Sequence, residues 1–332
     1  MADLIGPPRH VPLLHVVRGD LVESVHHGSV AVLGPDGRLL YAAGDVETPF
    51  FPRSAMKPLQ AAGMLRSGLP LDGELLALAA ASHSGEEHHR RGVRRILAEA
   101  GLGESDLRNT SDLPLDPDLR AQWRAQGRPP SRLAQNCSGK HAAMLLTARL
   151  NGWPTADYLD PGHPLQKVIA DTVEDLTGDR IARTSADGCG APLFAVSLHG
   201  LTRAYARIAA ARDGHLATLA AALRAHPRML AGRGRDVVRL TAAVPGLLAK
   251  DGFEAVMVAA LPDGRAVGVK IADGSERARL PVTAAALTIC GVDPAALAPF
   301  LETAVRGGDA VVGRFEIAGD LARRAAEAAT AA

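Results

Sequence analysis

Two hairpin patterns stand near opposite ends of this chain, with a long, mainly helical stretch between them. "SVAVL" (29–33) and "RLLYA" (38–42) flank a Gly-Pro-Asp-Gly turn, and "FEAVMVAAL" (253–261) and "AVGVKIA" (266–272) flank Pro-Asp-Gly-Arg. Apolar, β-prone runs on either side of a Pro-Asp-Gly turn are a hairpin signal. The intervening stretch, about 200 residues, reads as helices at 71–82, 86–102, 139–152, 165–178, 213–227 and 236–250, and the Ala-rich tail is a further helix. The 86–102 segment shows the pattern clearly: apolar residues at 93, 96, 97 and 100, then Gly101 as a stop. Two short hairpins gain stability by sharing one sheet. The expected architecture is therefore α+β, one catalytic domain over 1–332. Its antiparallel sheet is built from strands at about 11–46 and 252–274, and a helical region at about 55–250 is inserted between them. A cleft is expected where sheet and helices meet. Residues 112–133, rich in Pro and charge, read as a surface excursion.

Charge and cysteine usage narrow the function classes. The formal net charge is +1 and aromatic residues make up 3%, which disfavours a nucleic-acid-binding module. No apolar run approaches the roughly 18 residues that span a bilayer, and the start, "MADLIGPPRH", lacks an apolar leader segment. Cys137, Cys189 and Cys290 are an odd number in a long chain, so a disulfide framework is not expected and a cytoplasmic setting is. Of 37 basic residues only Lys57, Lys140, Lys167, Lys250 and Lys270 are lysines. Arginine cannot give up its proton in a protein and lysine can, so each of these positions merits inspection.

Ser54 and Lys57, in "FFPRSAMKPLQ", have S-x-x-K spacing, which puts hydroxyl and amine on one face of a helix. A desolvated lysine, or one beside a second cation, can take a serine proton, and a helix start supplies unpaired N–H groups for an oxyanion. Pro58 requires that the helix begin close to Ser54. In "ASHSGEEHH", Ser84 and Glu87 fit a capping box, whereas Ser82 has no local structural duty. His83, His88 and His89 suggest a metal, but adjacent histidines on a helix point in different directions, so none is expected there. "QNCSGKHAAM" and "SADGCGAP" each place a cysteine, Cys137 or Cys189, in a glycine-containing turn. Two thiolates with one further ligand could hold zinc and leave a fourth position open. Paired buried thiols or a reactive cysteine fit the pattern as well, and His141 is the conventional third ligand. Lys270, in "VGVKIADG", lies on a predicted strand and could be the second cation beside Lys57 or a partner for Ser82.

Taken together, "RSAMKP", "ASHSGE", "NCSGKH", "DGCGAP" and "VKIADG" resemble, in order, the motif set of the Rhizobium-type (class 3) L-asparaginases, the asparaginase II family. The likeness runs from about Arg18 to Arg277. It implies a fold similar to serine β-lactamases and glutaminases, and hydrolysis of L-asparagine to L-aspartate and ammonia. It further implies two serine–lysine pairs, Ser54 with Lys57 and Ser82 with Lys270. Zinc would be held by Cys137, Lys140 and Cys189, with lysine in place of the histidine that spacing alone favours. Asp187 is implied as a contact for the substrate's α-ammonium, with Arg53 and His141 beside the substrate, and the family suggests a homodimer. Phe253 stands where the family pattern suggests alanine, and 112–133 and the residues beyond 277 match nothing in the motif set. Two rivals remain: another serine–lysine acyl hydrolase, of β-lactamase, penicillin-binding or glutaminase type, and a non-catalytic amino-acid sensor.

Overall fold

The computed structural model describes residues 5–331. In chain order it opens with strands β1 (Val11–Arg18), β2 (Leu21–Leu33) and β3 (Leu39–Ala43), then a 3-10 turn at Arg53–Met56. Helices α1 (Lys57–Arg66), α2 (Gly73–Ala79), α3 (Glu87–Glu99), α4 (Pro117–Ala125), α5 (Ser138–Leu150) and α6 (Pro164–Thr177) follow. A short ladder of β4 (Arg183–Ala186) and β5 (Pro192–Ala195) leads to α7 (Leu198–Ala210), α8 (Gly214–Ala225), α9 (Pro227–Leu230) and α10 (Asp236–Ala243). The last part holds β6 (Leu248–Gly252), β7 (Val256–Ala260), β8 (Ala266–Ile271), α11 (Glu276–Ile289), α12 (Pro294–Leu301), β9 (Ala304–Gly307), β10 (Ala310–Ile317) and α13 (Gly319–Ala331).

These elements gather into two compact units. The first comprises 1–55, 195–210 and 242–332, and the second 56–194 and 211–241. The first is the sheet expected from the two chain ends. Its strand order is β6-β7-β8-β2-β1-β10-β9, with β3 also on β2, and its strand pairs are antiparallel. β8 joins the halves, with Lys270 paired to Ser29 of β2 on one side and Val256 of β7 on the other. The sequence "AVGVKI" suits that position, because every residue of β8 but Lys270 is buried. α7 and α11 pack against β8 and β2.

The second unit is helical, with α5 at its centre. Eleven consecutive residues of α5, Ser138–Ala148, are buried, as expected of a helix without a polar stripe. Gly139 lets it press on α2: a Cβ there would lie 2.4 Å from the Leu78 carbonyl oxygen. That approach brings the start of α5 against the end of α2, where Ser82 begins its loop.

Three sequence expectations need correction. The helix at 236–250 stops at Ala243, because Pro245 lacks an N–H and Gly246 turns left-handed (φ +80°), and Leu248–Lys250 belong to β6. Ser84 is no N-cap; Glu86 takes that place on α3, and Ser84 Oγ donates to the Ala231 carbonyl at 3.1 Å. The 112–133 segment lies mostly on the surface, as expected, and within it α4 buries Trp123 beside the guanidinium groups of Arg90 and Arg128. Finally, the residues beyond 277 add two strands, and β10 pairs with β1.

Candidate active site

In the first unit, Ser54 sits on a strained turn. Arg53 has a left-handed backbone (φ +53°), and so do Glu254 (φ +63°) and Ala255 (φ +53°) in the β6–β7 turn. Each such non-glycine residue costs on the order of 1 kcal/mol or more and persists only where its surroundings impose it. Those surroundings are specific. Gly252 lies so close that a Cβ would come 2.5 Å from the Pro52 carbonyl oxygen and 3.1 Å from the Ala55 nitrogen. Tyr205 donates its hydroxyl to the Ala55 carbonyl at 2.6 Å, and the Arg53 guanidinium lies 5.1 Å from the centre of the Phe253 ring. Lys270 Nζ donates to the carbonyls of Glu254 at 2.7 Å and Ile271 at 2.5 Å, so it ties the strained turn to β8. Burial lowers its proton affinity, with the Glu254 and Asp273 carboxylates opposing.

The second unit holds the other expected residues. The 3-10 turn at 53–56 runs directly into α1, which starts at Lys57 and accommodates Pro58 in its first turn. Lys57 is 1% exposed and Ser82 4%. Lys57 Nζ donates to the Ala81 carbonyl (2.6 Å), Ser82 Oγ (3.0 Å) and Cys137 Sγ (3.1 Å). The pairing of Lys57 with Ser82 is one that spacing along the chain did not suggest. Ser82 is anchored in turn by its own N–H to the Leu230 carbonyl, 3.0 Å away.

His83, next in line, is a support. Ser138 Oγ donates to the Leu133 carbonyl (2.9 Å), so it accepts from His83 Nε2 (2.9 Å), while His83 Nδ1 accepts from the Gly85 N–H (3.1 Å). Burial, with the nearby His89 and Lys57, holds its imidazole neutral, far below the usual pKa.

Cys137, Lys140 and Cys189 lie close together in the second unit. All three are buried, and Lys140 Nζ donates to Cys189 Sγ at 3.3 Å. A hydrogen bond between the two thiols pushes Cys137 up to about 12, and the same bond holds Cys189 well below the ordinary thiol value. Burial alone would discharge Lys140, but the Cys189 and Cys137 sulfurs and Asp187 outweigh it and raise its proton affinity. Two sulfurs and an amine nitrogen in one buried cluster fit zinc, which prefers N and S donors. Asn136 was missed by the motif reading: its Oδ1 lies 3.2 Å from Cys137 Sγ, while Gln135 Oε1 accepts from the Cys137 N–H at 3.0 Å. Both precede Cys137 directly in "QNCSGKH", the available signal.

Asp187 is half-buried at the tip of the β4–β5 turn, where its Oδ1 accepts from the Gly188 N–H at 2.9 Å. His141 is fully buried, its Nδ1 2.8 Å from the Tyr158 hydroxyl, and desolvation holds it neutral.

The family model for L-asparaginase II matches residues 14–317 of the 332. No curated protein matches the chain. Among solved structures, a β-lactamase from Mycobacterium bovis is 16% identical with a TM-score of 0.41, over 75% of this chain and 88% of that one. EstCE1, described as a hydrolase with promiscuous acyltransferase activity, is 16% identical with a TM-score of 0.42, over 77% and 92%. A variant of simvastatin synthase from Aspergillus terreus is 14% identical with a TM-score of 0.35, over 77% and 88%.

Proposed function

Since the chain belongs to the L-asparaginase II family, a family of asparaginase-like hydrolases, we propose that it hydrolyses the side-chain amide of L-asparagine to L-aspartate and ammonia through a serine acyl-enzyme. The observation that carries this reading is the buried contact of Lys57 Nζ with Ser82 Oγ at 3.0 Å.

In its uncharged form Lys57 takes the proton of Ser82 as that oxygen attacks the amide carbon, and returns it to the departing ammonia. Water then attacks the ester, Lys57 takes the water proton, and aspartate leaves as the proton passes back to Ser82 Oγ. Enclosure favours this exchange, because a proton held between two buried groups is not lost to solvent. Ser54 is the second candidate nucleophile. Its S-x-x-K spacing supports it, and so does the strained Arg53 backbone that holds it at a helical start. Lys270, through the Glu254 carbonyl, positions the turn that packs on the Ser54 segment.

Cys137, Lys140 and Cys189 would hold zinc, which supplies positive charge for orienting a small polar substrate when bound. Asp187 suits an α-ammonium and the Arg53 guanidinium suits an α-carboxylate, and neutral His141 is a further candidate substrate contact. The proposal extends to a cytoplasmic homodimer.

Ammonia release from L-asparagine and L-glutamine, with and without chelator, tests the activity. Wild-type protein is expected to release ammonia from asparagine, and Ser82→Ala to lose that release while keeping its bound metal. Full activity in Ser82→Ala, with loss in Ser54→Ala, moves the nucleophile to Ser54. No release from either amide by wild-type protein ends the asparaginase reading and favours the sensor. Hydrolysis of the chromogenic β-lactam nitrocefin in its place favours the β-lactamase-type rival.

A further inference from the structure

At the start of α3 lies a cluster that the proposed reaction does not use. Glu86 is the extended N-cap residue (φ −62°, ψ 162°), and His88 and His89 lie in the first helical turn. Although adjacent helical residues diverge, the rings of His88 and His89 have centroids only 3.9 Å apart, tilted by 41°. One nitrogen from each histidine and one Glu86 oxygen lie within 4.8 Å of one another.

The hydrogen bonds show which lone pairs are spare. His89 is 0% exposed. Its Nε2 lies 2.9 Å from the Arg228 carbonyl, which can only accept, so Nε2 carries the proton and Nδ1 carries a free lone pair. Nδ1 is buried with no hydrogen-bond partner among the described residues, and so is His88 Nε2. An imidazole that donates one N–H to a carbonyl and keeps its other nitrogen unpartnered has the arrangement of a metal ligand with its orienting contact. Glu86 is half committed: Oε1 accepts from the Arg233 N–H at 3.1 Å, and Oε2 lies 3.8 Å from His88 Nδ1.

We infer that Glu86, His88 and His89 form a site for a borderline divalent transition-metal ion, distinct from the Cys137, Lys140 and Cys189 cluster. Two imidazoles and one carboxylate suit Zn²⁺, Co²⁺ or Ni²⁺ and are a poor match for the all-oxygen preference of Mg²⁺ or Ca²⁺. Ligands of a tetrahedral ion with bonds of about 2.0–2.1 Å sit roughly 3.4 Å apart. The cluster needs only a small contraction to reach this, and Glu86 and His88 are free to supply it, with side chains 25% and 29% exposed. Two of the ligands already tether α3 to residues 228–233, His89 through the Arg228 carbonyl and Glu86 through the Arg233 N–H. An ion held by them would stiffen that tether, and the same segment meets the serine loop at three points. Ser82 N–H bonds to Leu230, Ser84 Oγ to Ala231, and Arg233 N–H to Glu86. Its role is thus to brace the loop that carries Ser82.

The test is Co²⁺ binding to chelator-stripped full-length protein, read by stoichiometry and absorption. Cobalt on thiolates shows a sulfur-to-metal charge-transfer band, and cobalt on imidazole and carboxylate does not. The wild type is expected to bind one Co²⁺ that adds no sulfur band, and to gain thermal stability from it. His88→Ala and Glu86→Gln should weaken that ion at least about 10-fold and leave any sulfur-bound ion unchanged. Equal stoichiometry and affinity in wild type and both variants overturns the site. Should the variants fail to fold, an anomalous difference map of Co²⁺-soaked wild-type crystals decides. A peak at the three side chains supports the site, and its absence at saturating Co²⁺ overturns it.

Discussion

Lys57 Nζ lies within hydrogen-bond distance of a carbonyl oxygen, a hydroxyl and a sulfur. The amine is thus held on one serine and at the same time touches the sulfur cluster. Replacing it with methionine, of similar length and no charge, should lower kcat at least about 100-fold, as loss of a general base does. The urea midpoint should fall by the equivalent of about 1–3 kcal/mol, because the buried Ala81 carbonyl and Ser82 hydroxyl lose their donor. A kcat within threefold of wild type would show that Lys57 is not the base. Asp45, outside the site, gives the pH dependence. Its carboxylate accepts from the Thr48 hydroxyl at 2.6 Å and from the Thr48 and Glu47 N–H groups at 3.0 Å each. The Thr48 hydroxyl bond, first among these causes, holds its pKa down to about 2, below the usual 3.8. A carboxylate whose folded pKa is depressed stabilises the fold above its unfolded value and loses that contribution as pH falls towards the folded one. Asp45→Ala should therefore cost about 1 kcal/mol at pH 7. In urea unfolding the gap to wild type should narrow as pH drops from 4 towards 2, and a gap constant over that range would contradict the account.

At the scale of elements, the β6–β7 turn and the segment before α1 hold each other in place. Gly252 has no room for a side chain beside Pro52, and three non-glycine residues accept left-handed backbones in the same contact. Gly252→Ala should destabilise the protein by about 1–3 kcal/mol, seen as a lower urea midpoint, and should reduce ammonia release more than an equally destabilising change elsewhere in the sheet. Wild-type stability and turnover would show that the contact is not needed. The hairpins at 29–42 and 253–272 were legible because turn residues and alternating apolar residues lie next to each other in the chain. β6 was not, because "LLAK" continues the apolar spacing of the preceding helix and only Pro245 and Gly246 interrupt it. Ser84 was misread because S-x-x-E spacing looks the same whether the hydroxyl caps the helix or reaches to Ala231.

Across the whole molecule, the sheet joins β2, near the start, to β8, about 240 residues later, and the candidate site residues come from a motif set spread from Arg53 to Lys270. Residue types were legible there because their chemistry is rare: five lysines, of which three stand in motifs. Partners were not, since Lys57 meets Ser82 and Cys137 across 25 and 80 residues of chain, and no local spacing encodes that approach. The β10 strand went unread because its pairing with β1 spans nearly the full length of the chain. Among the described residues no helix is long and apolar enough to cross a membrane. Light scattering should give a particle of twice the 34.6 kDa chain mass if the proposed dimer forms, and a mass equal to one chain would dismiss it. The most direct test is covalent trapping with a diazoketone analogue of asparagine, followed by peptide mass mapping. The adduct should fall on Ser82 in the wild type and form far more slowly in Lys57→Met; an adduct on Ser54 alone, or equal rates in the two proteins, would contradict the pairing of Lys57 with Ser82 as the catalytic unit.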